Sequence, residues 1–165
     1  MEQDATGPIA AATPEAFGAW VRPHLPAIAR LAGRLAPEGD RDDVIQEALT
    51  RAWSKWSQFD PTRGSPSAWL LAITADQARR ARRRARPRLL FESAARVRPI
   101  DDRLDLEYAI SRLPARQRLA VDCFYFAALS VAETAAVMAC AEGTVKSTLS
   151  DARARLKTLL ETGDG

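Results

Sequence analysis

Within residues 17–78 and 104–159, apolar residues recur at three- and four-residue steps, and no sustained segment alternates apolar with polar. That spacing puts one apolar stripe on a helix and cannot give a strand a single buried face, so the chain is expected to be all-α. Phe17, Trp20, Val21, Leu25, Ile28, Leu31, Ala32 and Leu35 form the first stripe, after the start signal Thr13-Pro14-Glu15. A hydroxyl, a proline in the first turn and a carboxylate at the positive helix end all favour initiation there. Pro23 and Pro26 are expected to kink or split this helix. After the turn Pro37–Asp40, with Asp40 as candidate cap, comes a second stripe of Val44, Ile45, Ala48, Leu49, Ala52, Trp53 and Trp56. A loop from Phe59 to Gly64 ends at Ser65-Pro66, a second cap-and-proline start, and Trp69, Leu70, Leu71, Ile73 and Ala78 follow.

Beyond residue 102 the helices are shorter. Leu104, Leu106, Tyr108, Ala109, Ile110 and Leu113 stop before Pro114, and a second helix carries Leu119, Ala120, Val121 and Phe124. Ser130-Val131-Ala132-Glu133 is a capping box opening a short helix. A turn at 138–141 leads to a last helix from about Glu142 to Leu160, with Val145, Leu149, Ala152, Leu156 and Leu159 inward. A short helix, a tight turn and a longer helix whose start is small and polar form a helix-turn-helix, in which the second helix enters a DNA groove. Its opening residues are Glu142, Gly143, Thr144, Lys146, Ser147 and Thr148, a mixture of hydroxyls, one cation and a glycine that suits phosphate and base edges. On this pattern alone, a solvated helix face explains them equally well.

The 165 residues, 47 % hydrophobic, suffice for one ordinary domain or two small ones and exclude a large multidomain enzyme. No run approaches the ~18 apolar residues of a membrane span, and the N-terminus lacks the basic start of a signal peptide, so a cytoplasmic protein is expected. Cys123 and Cys140, seventeen positions apart, with His24 far away, suggest neither a disulfide framework nor a zinc site; buried inert thiols are the expected state. With one His, no Gly-rich phosphate loop and no nucleophile motif, an enzyme is the least favoured class, and no cofactor is expected.

The net charge of +3 conceals a strong asymmetry. Residues 1–78 carry −3, residues 79–98 carry +8 and residues 99–165 carry −2. The positive block, with Arg79, Arg80, Arg82, Arg83, Arg84, Arg86 and Arg88, points to a polyanionic partner. The stretch 87–102, rich in Arg and Pro and without periodicity, is expected to be a linker between a unit at 13–86 and a unit at 103–161.

Several motifs, in order, resemble one family. Asp42-Asp43-Val44-Ile45-Gln46-Glu47-Ala48 with Arg51-Ala52-Trp53 is similar to the D-x-x-Q-E segment in region 2 of bacterial sigma-70 family sigma factors. Ser67-Ala68-Trp69-Leu70-x-x-Ile73 and the arginines after it resemble the promoter-melting helix. Leu113-Pro114-x-Arg116-Gln117-Arg118, Leu129-Ser130-Val131-Ala132-Glu133-Thr134-Ala135, Glu142-Gly143-Thr144-Val145-Lys146-Ser147 and Ala152-Arg153-Ala154-Arg155-Leu156 resemble region 4. Possession of these two regions alone resembles the extracytoplasmic function (ECF) group.

The resemblance implies a dissociable specificity subunit. Asp42, Asp43, Gln46, Glu47 and Arg51 would dock on the coiled coil of the largest subunit of core RNA polymerase, with the flap as a further contact. Phe59, Arg63, Trp69, Asp76, Arg79, Arg80, Arg82, Arg83 and Arg84 would capture and open the −10 promoter element, and Glu142, Gly143, Thr144, Lys146, Ser147, Thr148 and Arg153 would read the −35 element. Promoter DNA, core polymerase and an anti-sigma factor are the implied partners, with no membrane insertion. The spacing of Asp42, Asp43, Gln46 and Glu47 independently gives one acidic helix face, while Trp69 at helical spacing also fits a core position. The chain departs from the family pattern at Asp76, where Asn is usual, and at Arg80, near a usual acidic residue. It departs again at Thr148, Ser150 and Asp151, in a segment where cations are usual, at Ala139 for a turn glycine and at Ala141 for a capping serine. Two other classes remain: a sigma-like mimic that titrates an anti-sigma factor, and a free-standing helix-turn-helix regulator, for which no dimerisation element is visible.

Overall fold

The computed structural model describes residues 12–92 and 102–162, the side chains of 88–92 and 102–104 excepted. Among the described residues every regular element is a helix: α1 (Pro14–Val21), α2 (Leu25–Leu35), α3 (Arg41–Lys55), α4 (Pro66–Glu92), α5 (Asp102–Ser111), α6 (Ala115–Val121), α7 (Val131–Met138) and α8 (Glu142–Thr162). None is long and apolar enough to cross a membrane.

The punctuation follows local chemistry. Thr13 Oγ1 accepts from the Ala16 amide at 3.2 Å, with Pro14 in the first turn of α1. Pro23 and Pro26 split the first stripe, as expected, through a 3-10 turn at Arg22–His24 that restarts as α2. Asp40 occupies the cap position of α3 but its side chain makes no capping bond; its carbonyl receives the Val44 amide at 2.9 Å. Ser65 Oγ caps α4 through the Ala68 amide at 3.1 Å. The capping box forms in full, Ser130 Oγ receiving the Glu133 amide at 3.1 Å and Glu133 Oε2 the Ser130 amide at 2.9 Å.

The largest difference from expectation is at α4. The helix runs on through Pro87 to Glu92, so the first six residues of the expected linker are helical. Pro87 has no amide to donate, so the ladder of α4 lacks that one bond. The remainder of that linker, 93–101, lies outside the described residues, as do the side chains of Arg88 and Leu104.

Two cores result. Ile110, Leu113, Ala120, Val121, Ala135, Met138, Val145, Leu149 and Ala152 pack within the second unit. The first-unit core joins α1 to α4 through Ile28, Leu31, Val44, Ala52, Trp56, Leu70, Leu71, Ala75, Ala78 and Ala81. It is capped by an aromatic cluster in which Trp20 lies 5.3 Å from Phe59 and 6.0 Å from Trp69 between ring centroids. Cys123, Ala127, Leu129 and Val137 belong to this first core although they come from the second unit. The two units therefore share a surface: α7 packs on α4, and a π-helical turn at Asp122–Phe126 packs on α2.

In the helix-turn-helix, Ala139 takes the left-handed conformation, φ 51° and ψ 50°, as it ends α7. An L side chain costs about 1 kcal/mol there. Ala139→Gly is therefore expected to stabilise the fold by about 1 kcal/mol and raise Tm by about 3 °C, and Ser130→Ala to destabilise it by about 1 kcal/mol, both measured by thermal and urea unfolding.

Candidate nucleic-acid interface

The packing of α3 on α4 creates two grooves of different character. One, of about 600 Å³, is lined by Asp40, Asp43, Gln46, Glu47 and Thr50 from α3 and its cap, with Ala81 and Arg84 from α4. Val44, Ala48 and Ala52 hold α3 to the core from its opposite side, which leaves Asp42, Asp43, Gln46 and Glu47 exposed. The expected acidic face therefore exists, with Asp42 beside the groove rather than in it. The second groove, about 280 Å³, lies at the other end of the pair, between Arg51 and Lys55 of α3 and Trp69, Asp76, Gln77 and Arg80 of α4.

This geometry regroups two residues. Arg51, expected with the acidic face, lies one helical turn further on, in the cationic groove, and Arg84, expected with the DNA-facing arginines, lies in the acidic groove. The cause is helical pitch: Glu47 to Arg51 and Arg80 to Arg84 are each one turn, and one turn spans the boundary between the grooves.

A third hollow, about 230 Å³, is formed by the loop between α3 and α4. Gln58, Phe59, Asp60, Arg63 and Gly64 line it with Ala68, Trp69 and Ala72 of α4 and Ala136 of α7. Asp60 organises the loop by accepting from the Thr62 amide at 2.9 Å and the Thr62 hydroxyl at 2.7 Å, bonds that hold its carboxyl below the usual range. Trp69 both packs in the aromatic cluster, 5.4 Å from Phe59, and forms this wall, so both readings of it stand. Phe59, Arg63 and Trp69 are thus brought together.

Along α4 the arginines do not form one face. Ala78, Ala81 and Ala85 are buried, while Arg79, Arg80, Arg82, Arg83 and Arg84 fan out around the exposed arc. Asp76 is neutralised locally, 3.1 Å from Arg80 Nε and 3.6 Å from Arg79 Nη2, which compensates the departure at that position with two of the chain's own cations. In the second unit, Glu142, Gly143, Thr144, Lys146 and Ser147 are exposed on the first turns of α8 and Thr148 is half-buried. Ser147 Oγ donates to the Thr144 carbonyl at 3.0 Å, and Arg153 Nη1 donates to the Tyr125 hydroxyl at 3.1 Å.

Residues to which the sequence assigned no role between the units join them. Arg34 of α2 donates from Nε to Asp122 Oδ1 at 2.6 Å and from both terminal nitrogens to Glu107, at 3.0 and 3.2 Å, while its guanidinium lies 3.7 Å from the centroid of Phe126. Arg30 Nε donates to the Ala127 carbonyl at 3.0 Å, and Ser67 Oγ donates to Glu133 Oε1 at 2.5 Å. Burial pushes the Asp122 carboxyl up, against the pull of Arg34, Arg82 and Arg118. Burial acts the same way on Glu133, but the bonds from Ser67 and Ser130 and the charge of Arg30 outweigh it and hold that carboxyl low. Among Arg34 and its two carboxylate partners, only Asp122 left a signal in the sequence: a lone carboxylate inside the apolar run Leu119–Phe124.

Family models match both units: "Sigma-70 region 2" over residues 20–88 and "Sigma-70, region 4" over residues 103–156. The chain belongs to the sigma-70 family, in its ECF group. The ECF RNA polymerase sigma factor SigL of Mycobacterium tuberculosis is 33 % identical over 153 residues, 85 % of this chain and 86 % of that one. SigM of the same organism is 34 % identical over 139 residues, 81 % and 69 % of the two chains. Among solved structures, CnrH in complex with the cytosolic domain of CnrY matches at TM-score 0.65 and 30 % identity, covering 91 % of this chain and 90 % of that one. The Bartonella quintana sigma factor RpoE, in complex with the anti-sigma factor NepR, matches at 0.64 and 28 %, covering 89 % and 98 %. Function follows family: this is an ECF-type sigma factor.

Cys123 of this sigma factor is fully buried and its thiol is pushed up to about 12, mainly by burial and then by the Asp122 charge. Since the thiolate is the reactive form, iodoacetamide at pH 8 is expected to modify half-buried Cys140 while sparing Cys123, measured by mass spectrometry of the tryptic peptides.

Proposed function

We propose that this sigma factor docks on core RNA polymerase through region 2, opens the −10 element along α4 and reads the −35 element with α8, without catalysis of its own and within the cytoplasm. The observation that carries this reading is the division of one small domain into an acidic groove and an aromatic hollow at opposite ends of a single arginine-rich helix. We assign region 2 to 13–86 and region 4 to 103–161, joined by a linker over 87–102 whose first six residues continue α4.

Each surface suits its assigned partner. Asp43, Gln46 and Glu47, with Asp42 beside them, offer carboxylates and an amide to a basic protein groove. The hollow of Phe59, Arg63 and Trp69 presents aromatic faces and one cation, which suits a base leaving its stack; unstacking costs a few kcal/mol that such contacts offset. Arg79, Arg80, Arg82 and Arg83 supply the phosphate track, with Arg84 and Arg51 at the boundary between the two roles. On α8, Lys146 and the first-turn amides suit phosphates, and Thr144, Ser147 and Thr148 suit base edges, with Glu142, Gly143 and Arg153 flanking them. Region 4 is nearly balanced in charge, with eight Lys or Arg against seven Asp or Glu over 103–161, and carries Asp151 on α8, so its duplex affinity alone is low and polymerase supplies the rest. An anti-sigma factor is the expected inhibitor, since two solved relatives are held in complexes, one of them with a named anti-sigma factor.

The test is transcription by core polymerase on a promoter library with the purified chain added. Sequence-specific starts are expected; binding to an anti-sigma domain without binding to core would instead identify a titrating mimic. Replacing Arg82, Arg83 and Arg84 by Ala is expected to weaken promoter opening and flatten its salt dependence, by roughly 0.7 to 0.9 in slope for each phosphate no longer neutralised. Lys146→Ala is expected to weaken duplex −35 binding and to lower its slope by about 1. Parental opening and binding by both variants would contradict the assignment.

A further inference from the structure

We infer that Tyr125, a residue of the π-helical turn, binds a phosphate of the −35 duplex jointly with Arg153 of α8. The inference rests on the reading of α8 as the −35 helix and adds to it a contact from outside that helix.

The π turn puts the side chain in place. Asp122 and Cys123 are buried, and the Ala127 amide reaches back five residues to the Asp122 carbonyl at 2.9 Å. Tyr125 is left 49 % exposed on the other side of the turn. Its ring meets Phe124 edge-on, 5.1 Å between centroids at 87°, and Phe124 is packed against the second core. The hydroxyl therefore has a fixed position, and Arg153 Nη1 donates to it at 3.1 Å. Single π turns of this kind are frequent at functional sites.

The chemistry of the pair suits an anion. A phenol that accepts from Arg153 keeps its own proton to donate, and the guanidinium has five N–H donors, of which this bond uses one. Because the phenol is neutral, Arg153 keeps its full charge, in contrast to Arg79 and Arg80, which share the carboxylate of Asp76. A neutral donor beside a cationic one, both at the surface, is a combination that holds phosphate oxygens.

Position on α8 selects the backbone over the bases. Val145, Leu149 and Ala152 face the core, and Lys146, Ser150 and Arg153, four and three residues apart, follow one exposed flank. Arg153 lies about two turns beyond Lys146, past the first turns whose side chains reach base edges in a helix-turn-helix. Tyr125 comes from the segment ahead of α7, the helix that crosses the DNA backbone in that motif. Asp151, two residues before Arg153, points about 160° away around the helix, and Glu142 begins the flank about three turns earlier. Neither carboxylate of α8 therefore opposes an anion held between Tyr125 and Arg153.

The test uses the full chain assembled with core polymerase, and a fluorescent duplex carrying the −35 element of a promoter selected in the library transcription. Tyr125→Phe keeps the ring and loses only a half-exposed hydroxyl, so its Tm is expected to match the parent's. Its duplex binding is expected to weaken about tenfold, as for loss of a hydrogen bond to a charged group, with the salt slope unchanged because a neutral hydroxyl displaces no counterion. Arg153→Ala is expected to weaken binding and to lower the slope by about 0.9. In the Arg153→Ala background Tyr125→Phe is expected to cost about twofold or less, since the two side chains share one partner. Methylphosphonate replacement of single phosphates locates that partner: at one position both variants are expected to lose their difference from the parent. Parental binding by Tyr125→Phe, a loss that no single methylphosphonate removes, or different positions for the two variants overturns the inference. In any of these cases, weakened binding by Lys146→Ala leaves the reading of α8 standing, and parental binding by Lys146→Ala overturns that reading as well.

Discussion

The structure depends on how a single guanidinium is satisfied. Arg34 lies where α2 meets the π turn, with Asp122 at 2.6 Å, Glu107 at 3.0 Å and the ring of Phe126 beneath it. Removed from water without these partners it would be prohibitively costly; with them it sets the orientation of region 4 on region 2. Beside it lie other contacts of the boundary: the Arg30 bond to the Ala127 carbonyl, the Ser67 bond to Glu133 and the packing of Val137 against the first core.

That boundary explains why the sum of charges along the chain says little about any surface. The arginine block is dispersed by the pitch of α4 over several faces: Arg84 opposite the carboxylates of α3, Arg80 beside Arg51 and Lys55, and Arg82 towards Asp122. Asp76 takes a share of Arg79 and Arg80. A segment of net +8 thus contributes to a groove wall, an exposed arc and a domain contact at once.

Much of this was legible from residues alone because it is local. Helix starts at Thr13-Pro14, Ser65-Pro66 and Ser130-x-x-Glu133 are fixed by bonds spanning three residues, and each formed as the spacing implied. The acidic face of α3 is set by helical periodicity, and the left-handed Ala139 by the family pattern of the turn. The exact end of α4 was not legible, because Pro87 and the loss of apolar periodicity after it both read as a break, whereas the helix continues to Glu92. Nor were the contacts of Arg34, whose partners lie 73 and 88 residues away and obey no spacing rule. Nor was the grouping of Arg51 and Arg84 legible: sequence gives the face of a helix, but the neighbouring helix decides which groove that face enters.

The central claim is that the hollow of Phe59, Arg63 and Trp69, with the arginines of α4, is the strand-opening surface of this sigma factor. The direct measurement is permanganate reactivity of the −10 thymines in complexes of core polymerase, this chain and promoter DNA. The account predicts reactive thymines with the parent chain and weaker reactivity with Arg63→Ala. Equal reactivity with the two chains would contradict it.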